Sequence, residues 1–126
     1  VTEQKNSLAV CLDNILRHAG ITRNTEYDLA QGKTATTILS ENMTGVQVLD
    51  LSGCTLDAVL YYVNQDIPVL AILEDGEAVL VTGFNEFNVV IMEPATGKLY
   101  KKGMNDATAW FAENGNHFIT YMRTEN

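Results

Sequence analysis

Cysteine, histidine and proline each occur only twice in the 126 residues, and lysine and arginine together only eight times. Two cysteines, Cys11 and Cys54, can close at most one disulfide. With only His18 and His117 beside them they cannot complete a zinc site. Eight basic against sixteen acidic residues leave a formal net charge of −8. No basic stripe survives that balance, which excludes nucleic acid as a partner bound through its phosphates. The longest apolar run, Ile67 to Leu73, falls far short of the roughly 20 residues a membrane span requires, so membrane insertion is excluded as well. A Gly-rich phosphate loop, His-Glu-x-x-His, Gly-x-Ser-x-Gly and a calcium loop are all missing, and no cofactor is expected.

What is present is the mixture of a folded domain: 46 % hydrophobic and 19 % charged residues, incompatible with disorder or a coiled coil. The length supports one domain, residues 1–126. The chain opens at Val1 without an initiator methionine or signal-type apolar region, and is expected to be an excised domain or mature fragment of a larger protein.

The first half reads as helical. Leu8, Cys11, Leu12, Ile15, Leu16 and Ala19 recur at helical spacing, with Asn6 or Ser7 as N-cap and Gly20 as the stop. Shorter helices are expected over Thr25–Ala30, opened by Asn24, and over Thr37–Met43, with a brief extended segment at Val46–Leu49. Leu56, Val59, Leu60 and Val63 mark a fourth helix starting at Cys54 or Thr55. The period then changes to two. Strands are expected at Ile67–Leu73, Ala78–Phe84, Val89–Met92 and Lys98–Lys102. A short helix capped by Asn105 carries Ala107, Trp110 and Phe111, and a last strand runs over His117–Arg123. Connections this short imply antiparallel neighbours. Helices first and a meander afterwards give an α+β fold, with N-terminal helices packed on a C-terminal antiparallel sheet.

Two stretches of the second half carry a resemblance. Glu77-Ala78-Val79-Leu80-Val81-Thr82-Gly83-Phe84, followed by Val89-Val90-Ile91-Met92-Glu93-Pro94 and Gly97, resembles the core of the bacteriocin-processing (double-glycine) papain-like cysteine peptidases. Active members have His-x-Val-x-Val-x-Gly-Tyr in the first stretch and Asp-Pro closing the second. Gln65 to Leu70 is similar to their Gly-x-Pro-Val entry strand. The helix ending His18-Ala19-Gly20-Ile21 is similar to the helix that carries their nucleophile. The resemblance implies a papain-like fold and places Ser7, Glu77 and Glu93 where the family has its Cys, His and Asp. Leu8 and Ala9 stand where Gly and Pro would follow the nucleophile. The family's oxyanion glutamine would fall near Val1, with Gln4 close but out of register.

The chemistry of those replacements is unfavourable for peptide hydrolysis. A neighbouring imidazole holds a cysteine nucleophile as thiolate near neutral pH. Serine is a far weaker acid, and a glutamate with a pKa of about 4.3 is a poor base for it at pH 7. Ser7 also suits a helix N-cap, and Glu77 and Glu93 suit solvated strand ends. Cys11 lies on the apolar stripe, where a thiol is usually an inert core residue. It is two helical turns from His18, out of hydrogen-bonding range. His117 is expected to be exposed or already satisfied.

The leading expectation is thus a catalytically inactive peptidase-like domain. It would bind an extended peptide or neighbouring domains, or serve as a structural module, in a bacterial envelope or secreted protein. Related degenerate domains in export transporters dock their substrates in this way. Tyr61, Tyr62, Phe84, Phe87 and Trp110 are candidate anchors, at least half of them serving the core instead. The alternative is an active hydrolase using Cys11, or a Ser7–Glu77–Glu93 arrangement at acid pH, as serine–carboxylate peptidases of another fold do. A third reading is a cation site built from Glu74, Asp75, Glu77 and Glu93.

Overall fold

In the computed structural model, which describes residues 7–124, the longest helix is α1 (Ser7–His18). It buries Ala9, Cys11, Leu12, Ile15 and Leu16 along one stripe. It is followed by α2 (Thr25–Ala30), α3 (Ala35–Asn42), β1 (Val46–Asp50), α4 (Leu56–Val63), β2 (Val69–Ile72), β3 (Ala78–Phe84), β4 (Asn88–Met92), β5 (Leu99–Gly103), α5 (Met104–Glu113) and β6 (His117–Arg123). Six strands form one antiparallel sheet in the order β1-β6-β2-β3-β4-β5.

The sheet is covered on both faces, which extends the expected picture of helices on a sheet. Leu70, Ala78, Leu80, Met92, Ile119 and Tyr121 face α1 and α3. Their alternating neighbours Val69, Ala71, Val79, Val81, Val89, Ile91 and Phe118 face α4 and α5. Two-sided burial explains why β2 and the first half of β3 read as unbroken apolar runs rather than alternating ones.

Element boundaries shift where a side chain or carbonyl supplies an unforeseen partner. The Thr34 hydroxyl accepts from Thr37 N at 3.3 Å, so α3 begins at Ala35 rather than Thr37. Phe87 O accepts from Met104 N at 2.8 Å, and α5 begins at Met104 with Gly103, not Asn105, as its N-cap. The brief extended segment is a full edge strand, paired with β6 from Val46–Arg123 to Asp50–Ile119. The expected caps of α1 divide: Asn6 lies outside the described residues, and Ser7 is the first helical residue, its hydroxyl engaged elsewhere.

Two buried carboxylates fix the N-terminal helices. Asp13 Oδ1 accepts from Thr25 N at 2.8 Å and from the Thr25 hydroxyl at 2.7 Å. Asp28 is gripped by Arg23 through both oxygens, Nε to Oδ2 and Nη2 to Oδ1, each at 3.0 Å. The Arg23 guanidinium holds the Asp28 carboxyl below the usual carboxylate range. A folded-state pKa below the unfolded one contributes stability that is present above the unfolded value, about 3.9. That contribution is lost as pH falls through the depressed folded value. Arg23→Ala is therefore expected to move the acid-unfolding midpoint, followed by circular dichroism at low salt, to higher pH. An unchanged midpoint would show that the pair contributes nothing.

Candidate functional site

The hairpin between β2 and β3 delivers Glu77 to the start of α1. Leu73 N donates to Glu77 O at 2.7 Å and Gly76 N to Leu73 O at 3.0 Å. Asp75 Oδ1 accepts from Glu77 N at 2.9 Å. Gly76 takes φ +87, a conformation costly for any residue with a Cβ. From this turn Glu77 meets Ser7, whose hydroxyl donates to Glu77 Oε2 and accepts from Ala78 N at 2.9 Å. Helix periodicity accounts for the direction of Ser7. Ser7, Cys11 and Ile15 are spaced by four residues on one row, and the last two are fully buried against the sheet. The row that seats Cys11 in the core thus carries Ser7 to the sheet's end, where the side chain is half-buried.

Glu93 directly follows β4, whose last residue, Met92, pairs with Leu80. It therefore lies at the same end of the sheet as Glu77. Its side chain forms no hydrogen bond to Ser7 or Glu77, and its charge acts instead on Tyr100, whose phenol is pushed up first by burial and then by Glu93. Of the three aligned positions the structure joins Ser7 to Glu77 and leaves Glu93 apart. Val1 and Gln4, at and near the oxyanion position, lie outside the described residues.

Cys11 as a nucleophile is corrected by its surroundings. The side chain has no exposure, and burial pushes its thiol up to about 12. A thiol so placed is protonated at any working pH and beyond reach of a substrate. Cys54 is half-buried, and both cysteines are free. His18 stands at the far end of α1, roughly 16 Å from Ser7 along the helix axis. Its Nε2 lies 2.9 Å from Asp66 O. His117 pairs with Ile72, which pairs with Ala78, so two strand spacings, about 10 Å, separate it from the Ser7 partner.

The cation site is also corrected. Asp75 is committed to the turn and Glu77 to Ser7. Among the described residues no group of three or more metal-ligating side chains gathers, and no helix is long and apolar enough to cross a membrane. The candidate anchors divide as well. Tyr62 packs against both cores and Trp110 against the α4–α5 core. Tyr61, Phe84 and Phe87 are exposed. An open pocket beside Phe87, at the end of β5, had no signal in the sequence, because its lining comes from two turns distant along the chain.

This α+β fold, with helices on a six-stranded antiparallel sheet, matches that of C39-like peptidase domains, as the resemblance implied. A protein assigned as a C39-like peptidase from Bacillus anthracis superposes with a TM-score of 0.81 over 100 % of this chain and 93 % of its own, at 14 % identity. The N-terminal peptidase C39-like domain of the toxin secretion ATP-binding protein from Vibrio parahaemolyticus gives 0.70, over 96 % of this chain and 99 % of its own, at 12 % identity. No family model matches the chain, and no curated protein matches it significantly in sequence.

Proposed function

We propose that this C39-like domain is catalytically silent and serves as a peptide- or protein-binding or structural module of a larger bacterial envelope or secreted protein. The observation that carries the reading is the closed contact of Ser7 with Glu77 and Ala78 N. The hydroxyl donates to a carboxylate and accepts from a backbone amide, so it joins helix to sheet as a staple. Neither histidine is its partner, and a carboxylate is a weak base for an alcohol at neutral pH. The Vibrio neighbour is one domain of a toxin secretion protein, which supports membership of a larger assembly.

Incubation of the domain with a peptide library and a thiol-directed electrophile at pH 7 is expected to give neither cleavage nor rapid labelling. Cleavage together with labelled Cys11 overturns the reading. Stability supplies a second check. Removing a catalytic residue commonly leaves a protein as stable or more so, whereas removing a staple destabilises it. Ser7→Ala should cost about 1 kcal/mol in urea unfolding, the Ala78 amide having lost its acceptor. A variant as stable as the parent contradicts the staple.

A further inference from the structure

We infer that the free edge of β5 docks an extended acidic peptide, which adds to the sheet as a further strand. β5 is the last strand beside β4. Glu93 N donates to Lys98 O at 2.9 Å and Met104 N to Phe87 O at 2.8 Å, both between directly opposed residues. Bonded pairs alternate in an antiparallel ladder. Lys98, Tyr100 and Lys102 therefore bond toward β4, and Leu99 and Lys101 direct their N–H and C=O groups away from the sheet. Those outward groups form the template on which a strand can add.

Charge chooses the occupant. The chain carries a net −8, yet Lys98, Lys101 and Lys102 are three of its eight basic residues. Lys102 lies over the Trp110 ring at 4.9 Å. Lys98 and Lys101 enter no ion pair among the described residues. Leu99 lies between them in sequence and is 61 % exposed, an apolar contact on the face that it shares with Lys101. A second copy of the chain paired through β5 would set lysine against lysine, which is repulsive. The opposite edge is different: β1 (VQVLD) carries no basic residue, and α3 packs against it. The β5 edge ends at Gly103 beside an open pocket of about 340 Å³, where Glu86 and Asp106 flank Phe87 and Met104. The acidic residues of the peptide accordingly lie along Lys98 to Lys102, and its uncharged or basic residues pass Gly103. The inference goes beyond the reading above and does not depend on whether Ser7 and Glu77 turn over peptide.

The test uses a fluorescein-labelled peptide of about twelve alternating Val and Glu residues, with a Val–Lys peptide as control, and reads anisotropy and amide hydrogen exchange. The Val–Glu peptide is expected to bind and the control to bind about tenfold more weakly or not at all. On saturation the Leu99 and Lys101 amides should become protected. Lys101→Glu should weaken binding about tenfold. Leu99→Pro, which removes an outward N–H and leaves the β4 ladder intact, should abolish it. Unchanged exchange at Leu99 and Lys101, undiminished binding by Leu99→Pro, or no binding of the Val–Glu peptide overturns the inference. The exchange measurement uses the parent protein and decides the matter even if a variant fails to fold.

Discussion

The double variant Ser7→Cys/Glu77→His is expected to acquire a thiol that ionises far below the ordinary cysteine range of about 8.5, with the inflection of alkylation rate against pH falling between about 4 and 7. The contact between Ser7 and Glu77 sets the two introduced groups side by side, and Ala78 N remains to donate to the thiolate. Ser7→Cys alone should move the other way. A Glu77 carboxylate beside the sulfur disfavours the negative thiolate, so its inflection belongs above about 8.5. A separation of at least about two pH units between the variants is the expected result, opposite in sign about the ordinary value. Native Cys11 stays silent because burial holds its thiol near 12, and a Cys54→Ser background removes the other thiol. Equal inflections in the two variants would mean that the positions do not communicate, and the alignment with a nucleophile–base pair would fail.

A second large effect is expected at Asp13, remote from any surface chemistry. Its carboxylate, 7 % exposed, accepts from the amide and hydroxyl of fully buried Thr25 and ties α1 to the start of α2. Asp13→Ala leaves a buried amide without its acceptor, at a cost of about 2–3 kcal/mol, or roughly 6–12 °C in melting temperature for a domain of this size. Asp13→Asn keeps an acceptor oxygen and should lose less than about 1 kcal/mol. A mild Asp13→Ala would show that α1 is held by its apolar stripe alone. The position of Ser7 would then owe nothing to the polar side of the helix.

Much of this architecture was legible because its signals are local. The Asn24 cap, whose Oδ1 accepts from Glu26 N at 3.2 Å, defines α2 as expected, and β3 and β6 carry the expected bounds. The convergence of Ser7 with Glu77 follows a resemblance in the positions of a few Gly, Pro and apolar residues. What stayed hidden was non-local. Ser7 reads as an N-cap in isolation, and only the hairpin seventy residues later supplies the amide and carboxylate that claim its hydroxyl. The start of α5 is set by Phe87 O, which no pattern near Gly103 reveals. Glu93 directly follows β4 at the sheet end, and its effect on the Tyr100 phenol of β5 is a contact between strands that no local pattern reveals.

The proposed function gives the serine–carboxylate contact of this C39-like fold the role of binding helix to sheet and none in hydrolysis. Its most direct test is the rate of peptide cleavage by the parent domain from pH 3 to pH 8, compared with Ser7→Ala. A flat baseline in both, at every pH, is the predicted result. Cleavage that rises toward acid pH and disappears in Ser7→Ala would contradict the account and make Ser7 and Glu77 a working catalytic pair.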